Sequence, residues 1–201
     1  MKKTVLKTVG FTLLGVLLTL VVFFGVFFFV APGILGNASK ALGNHDATVY
    51  FYQRHYDKAG HYDNLSRLVY ELDAEKDSEK TEKYVSIVLD DMAGYLDIRK
   101  DDFESELLAK EYFYNKCVIA MINNGNVEGA INRASEFVLD KDCGYTLLNP
   151  FRIIISTKGN SLSRDDLIKL RAKLTLLSVG ISDKTLVDSD LQEIDKLIIN
   201  A

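Results

Sequence analysis

The sequence predicts an all-α protein: one long apolar helix at the amino terminus, then an antiparallel array of helical hairpins, a solenoid or an irregular bundle. Three observations predict it. From Thr8 to Ser39 there is no charged side chain, and Val9 to Val30 is almost wholly apolar. Beyond residue 46 apolar residues recur at helical spacing, with no convincing strand alternation. The 201 residues include only two prolines, so long loops are not expected.

The apolar run comes first. Its 22 residues would span roughly 33 Å as a helix, close to the hydrocarbon thickness of a bilayer. Lys2, Lys3 and Lys7 precede it, and no acidic residue occurs ahead of Asp46. Lysines retained on the cytoplasmic side place the amino terminus inside and the remainder outside the cell membrane. Pro32 and Gly33 stop the helix, since proline cannot continue its hydrogen-bond ladder, and the stretch after them to about Asn44 reads as a tether. The chain therefore divides into a cytoplasmic tip and anchor (1–36), a tether (37–46) and a helical domain (47–201). The alternative is a secretory signal cut near Gly36-Asn37-Ala38 or Ser39-Lys40-Ala41, releasing a secreted domain. A signal's apolar core is about 7–15 residues, shorter than this run. No cysteine lies near its end, which excludes a lipoprotein anchor.

Charge narrows the choice of partner. Residues 41–201 hold 20 basic and 28 acidic groups, a net charge of −8. Phosphate backbones repel such a domain, so nucleic acid is excluded as a partner. The two cysteines, Cys117 and Cys143, could form one bridge in an oxidising compartment. Cys117 lies on the apolar face of a predicted helix, where a small buried thiol is the simpler expectation.

The helices follow in order. One over 47–59 precedes Gly60, and another over 61–74 follows it. Residues 78–96 align Val85, Val88, Leu89, Met92 and Leu96. The longest, 102–123, turns Phe103, Leu107, Tyr114, Cys117, Val118 and Met121 one way and stops at Asn124-Gly125, where glycine tolerates positive φ. Then come 126–139, a shorter piece near 145–157, 163–178 with Leu167, Leu170, Leu174 and Leu177, and 188–199 with Leu191, Ile194 and Ile198. Start signals are Asp101 with Glu104, Ser163 with Asp166, and Ser189 with Gln192. The pairs Asp101-Asp102 and Asp165-Asp166 then favour the positive end of a helix dipole rather than catalysis. Asn126 reads as exposed and replaceable.

Two segments echo each other. Val49, Tyr52 and Tyr56 lead to Gly60, then Tyr62, Leu65, Val69 and Leu72; Tyr114, Cys117 and Met121 lead to Gly125, then Val127, Ala130, Ala134 and Phe137. Over residues 47–140 this resembles the tetratricopeptide repeat, a helix–turn–helix unit of about 34 residues. The glycines are 65 residues apart, near two repeat lengths. Neither segment has the family's tryptophan or Leu-Gly pair, and Asp77 and Asp142 stand where its closing proline usually sits. Three helices lie between the glycines where two regular repeats require four. The resemblance implies a groove for a peptide or partner helix on the free face of each first helix. Those positions are Ala47, Tyr50, Arg54 and Asp57, and Tyr112, Asn115, Ile119 and Ile122. Of these, Tyr50, Arg54, Asp57, Tyr112, Asn115 and Ile119 are the candidate partner-binding residues.

Motifs for catalysis are absent: no phosphate-binding glycine loop, no nucleophile elbow, no Ser-x-x-Lys. His45, His55 and His61 lie within seventeen residues beside Asp46, Asp57 and Asp63, but their spacing of ten and six does not match a helical zinc pair. Asp140 to Gly144 resembles the opening of a calcium loop without its closing glutamate. No cofactor and no metal is expected. The sequence reads as a membrane-anchored, non-enzymatic adaptor that binds a protein or peptide partner and meets lipid through residues 9–30. A ligand-binding or sensory domain is the alternative, followed by an enzyme with a site built from scattered residues.

Overall fold

Among the residues that the computed structural model describes (2–59, 63–99 and 105–201) the regular structure is entirely helical. The chain forms two compact units, Met1–Asn64 and Leu65–Ala201. Helix 45–59 thus belongs to the unit of the apolar helix.

In the first unit, α1 (Lys2–Val30) contains the only span among the described residues, Val9–Val30, that is long and apolar enough to cross a membrane. Most side chains of Val9–Val30 are exposed, and Thr19 returns its hydroxyl to Gly15 O at 2.9 Å. That bond pairs the hydroxyl within the helix itself. The helix stops at Val30, as the proline requires. The expected tether, however, is largely helical: α2 covers Pro32–Ala41 with Pro32 at its first position. Proline interrupts one helix and starts the next for the same reason. Its missing N–H breaks the earlier ladder, while at a helix start that donor would have had no partner. A short turn leads to α3 (His45–Ala59), where Asn44 Oδ1 accepts from Ala47 N at 3.0 Å as a cap. Helices α2 and α3 pack together, with Gly36 against Tyr52. A Cβ on Gly36 would lie 2.6 Å from the Tyr52 ring, and Tyr52 donates its hydroxyl to Asn37 Oδ1 at 2.8 Å.

The second unit takes in most of α4 (Asp63–Ala74), then α5 (Ser78–Arg99), α6 (Glu106–Asn123), α7 (Val127–Leu139), α8 (Pro150–Lys158), a 3-10 turn (Gly159–Ser161), α9 (Arg164–Ser178) and α10 (Thr185–Asn200). Helix α6 is central and packs on α5, α7 and α8; α7 rests on α9, and α9 on α10. Phe113, Cys117 and Met121 of α6 meet a core completed by Ala130 and Phe137 of α7 and Phe151 of α8, all at most 1% exposed. Both cysteines are free and buried, so the bridge considered above does not form. The array is irregular, with three helices among the described residues between 60 and 125.

Some helix limits differ from expectation. Ser163 does cap α9, accepting from Asp166 N at 3.2 Å. Ser189 does not cap α10, which starts four residues earlier at Thr185, with Asp183 Oδ1 accepting from Thr185 N. Helix α8 starts at Pro150 rather than near 145, capped by Asn149. Asp77, a departure from the repeat pattern, accepts from Glu79 N and Lys80 N at the start of α5. Phe103 and the pair Asp101–Glu104 lie outside the described residues, and Ser105 caps α6.

The turn between α6 and α7 is the best-defined of these joints. Gly125 has φ +80, and Gly125 N and Asn126 N donate to Ile122 O and Met121 O, the two bonds of a Schellman ending. Asn124 Nδ2 ties that ending to Glu75 O and Thr81 Oγ1, each at 2.9 Å. Asn126 is not the replaceable residue its sequence context suggested. Its Oδ1 accepts from Gly129 N and its Nδ2 donates to Glu82 Oε2, both at 2.9 Å. An amide that starts one helix and ties it to another is invisible in a one-dimensional pattern.

Candidate functional site

With α5, α7 and α8 covering its other sides, α6 keeps one face partly free. Leu108, Tyr112, Asn115 and Ile119, at steps of four, three and four, form a single stripe there. Leu148 and Ile153 wall the stripe on one side, and Asp73 of α4 stands at its edge, 3.7 Å from Lys116 Nζ. The resulting groove has a volume of about 510 Å³, within the size range of ligand-binding clefts.

Polar contacts set its shape. Asn115 Nδ2 donates to Leu148 O at 2.9 Å, holding the segment before α8 against α6. Asn115 Oδ1 is buried and accepts no hydrogen bond. Glu111, 3% exposed, accepts from the Thr146 hydroxyl. The same segment is held at its start, where Tyr145 donates its hydroxyl to Asp190 Oδ2 at 2.7 Å. Arg152 Nη1 lies 3.0 Å from Asp190 Oδ1. Burial raises the Asp190 carboxyl above its usual range, against the opposing pull of the Tyr145 hydroxyl and Arg152. The Tyr145 hydroxyl is raised strongly, first by burial and then by that carboxylate.

Burial also governs the thiols. It pushes the Cys117 thiol far up, and it takes Cys143 to about 12 with help from Asp140. Both are therefore protonated at neutral pH, the unreactive form.

Of the residues expected to line a groove, Tyr112, Asn115 and Ile119 come together here. Ile122 does not: at 9% exposed it turns into the core. Tyr50 and Arg54 belong to the first unit and face the end of α1. The Tyr50 ring lies 6.2 Å from that of Phe28. Arg54 stacks 4.4 Å over Phe28, and its Nε donates to Phe28 O at 3.4 Å. Ala47 is half-buried in that unit, and the Asp57 side chain lies outside the described residues. So do the His55 side chain and His61, which leaves the histidine cluster undescribed. Among described residues no group of three or more His, Cys, Asp or Glu is placed to hold a metal ion. Leu108 was missed although it extends the Tyr112 stripe by one turn. Thr146, Leu148 and Ile153 had no signal in sequence, because the α8 approach brings them in from over thirty residues away, and Glu111 of α6 acquires its role only through Thr146.

A second cavity of about 410 Å³ lies between α8 and α10, with Arg152, Ser156, Asn160, Ser189, Asp190 and Glu193 in its walls. No protein-family model, curated protein or solved structure matches this chain.

Proposed function

We propose that the protein is a membrane-anchored interaction module. In this reading α1 crosses the cell membrane with the amino terminus in the cytoplasm, and the helical array outside takes an amphipathic segment of a partner protein in the α6 groove. The observation that carries it is the bounded stripe Leu108–Tyr112–Asn115–Ile119. A flat apolar floor with a tyrosine beside it suits the anchor side chains of a helix or peptide. At the rim Asp73 lies 3.7 Å from Lys116 Nζ, and Glu111 is buried against the Thr146 hydroxyl. The net charge of −8 over residues 41–201 favours a segment with basic flanks. The hairpin α6–α7 with its glycine turn also suits the tetratricopeptide-like reading, in which the free face of a first helix receives peptides.

Amphipathic peptides sharing one apolar face, flanked by lysine or by glutamate, test the groove against the full chain in nanodiscs. Lysine-flanked peptides should bind the parent chain and lose affinity for Ile119→Asp. Equal binding of both sets, or retained binding by the variant, overturns the proposal. Protease added to intact cells tests the topology: the helical array should be removed and a small anchored fragment spared.

The polar cavity between α8 and α10 favours a second reading, a pocket for a small polar ligand. Such a ligand would raise the melting temperature of the parent chain but not of Glu193→Leu.

A further inference from the structure

Helix α2 has two unlike faces. Pro32, Gly33 and Gly36 are buried, with Gly36 against the Tyr52 ring of α3. On the other side Ile34, Ala38, Ala41 and its cap Leu42 are exposed, with Ile34 at 54% and Leu42 at 85%. Steps of four, three and one place these four on one side of a 3.6-residue helix. The stripe begins four residues after the last residue of the apolar span, and Ala31 alone separates the two helices. No acidic residue occurs between Val9 and Asn44.

A second observation concerns the end of α1. Pro32 has no N–H to give Phe28 O, four residues back, and Arg54 Nε donates to that carbonyl instead. The guanidinium covers the Phe28 ring and lies 5.3 Å from Phe29. Phe51 stands edge-on to Phe28 at 5.8 Å, with Tyr50 beside it. A cation at a helix carboxyl end, ringed by aromatics, is what the zone between acyl chains and headgroups favours.

We propose that the α2–α3 hairpin rests on the membrane surface, with the stripe Ile34–Ala38–Ala41–Leu42 set into the acyl–headgroup boundary of the leaflet from which α1 emerges. The partner is lipid. One residue of connection keeps α2 beside the bilayer, and the Arg54 contact holds α3 to the end of the span. A stripe of this kind sinks its apolar face just below the headgroups. The proposal rests on reading α1 as a membrane span.

The chain contains no tryptophan, so single tryptophans report position without background. Ile34→Trp, Leu42→Trp, the mid-span Leu17→Trp and Ile168→Trp on the exposed side of α9 are each reconstituted as full chains in phosphatidylcholine vesicles containing acyl-brominated lipid. Bromine should quench the tryptophans at 17, 34 and 42 several-fold more than that at 168, and aqueous iodide should show the reverse order. If the tryptophans at 34 and 42 behave like that at 168 while 17 is quenched, the span stands and the interfacial hairpin is overturned. If the tryptophan at 17 escapes bromine, the span itself fails and takes the hairpin with it.

Discussion

Helices α3 and α6 offer the same kind of surface in sequence, a tyrosine flanked at helical spacing by polar and apolar residues, and they use it in opposite ways. On α3, Tyr50 and Arg54 turn to Phe28 of the helix that precedes them. On α6, Tyr112, Asn115 and Ile119 face a groove. The cause is what lies next to each. The proline at 32 leaves a carbonyl at Phe28 that needs a donor, and α3 supplies it. Helix α6 has its own unit packed on the other sides, so its remaining face is walled but open. An exposed aromatic pattern therefore signals a contact, and the surroundings decide whether that contact is structural or available to a partner.

The contrast breaks most visibly if the frame behind the groove is removed. Ala130 is fully buried where α7 meets α6, and Ala130→Leu should cost about 1–3 kcal/mol by overpacking. Gly125→Val should cost a similar amount, about 1–3 kcal/mol, for a different reason. A Cβ at 125 would touch nothing within 4 Å, so the whole penalty is backbone strain at φ +80. Gly125→Asn should then be tolerated, because asparagine enters that region more readily. Thermal melts of the full chain in detergent check all three. If the valine variant melts like the parent, the turn is not held as described and the groove loses its frame.

Asn126→Ala comes next, at about 1–2 kcal/mol, since it removes a helix cap and a bond to Glu82 together. The same melts read it. This is where the sequence was least informative. Helix periods, the apolar span, the glycine stop and the Ser163 cap depend on neighbours in sequence, and they were readable there. The groove was half readable: one helix supplies Tyr112, Asn115 and Ile119 at a regular step, whereas Leu148 and Glu111 matter because of a loop whose path is set by Asn115 and Asp190. The helical character of 32–41 was hidden because proline was read only as a stop.

On the α3 side, the role of Arg54 can be isolated by a double-mutant cycle. Arg54→Met should lower protection of α3 amides from hydrogen exchange by about 1 kcal/mol. Pro32→Ala restores an N–H that can reach Phe28 O, so in that background the same replacement should cost less. Equal costs in both backgrounds would mean that Arg54 acts through its ring contacts alone, and the comparison with α6 would then rest on aromatics rather than on the unpaired carbonyl.

The smallest effect is expected on the side of α6 opposite the groove, where Lys110 Nζ meets Asp140 Oδ2 at 3.1 Å. The Asp140 carboxyl is held below its usual range, first by the hydrogen bond from Asp142 N and then by Lys110. In the window just below the ordinary carboxylate range the unfolded chain therefore binds a proton that the folded chain does not. The stabilisation is present above that window and is lost as pH falls through the folded value. Its size is limited by solvent screening, because the carboxylate is 38% exposed. Asp140→Asn should melt slightly below the parent at about pH 7, and the gap should narrow as pH falls through the folded value of Asp140, where the parent loses the same contribution. A gap that stays constant across that range would show that the pair has no electrostatic weight. Helix α6 would then keep its position, and its groove, through apolar packing and the turn at Gly125 alone.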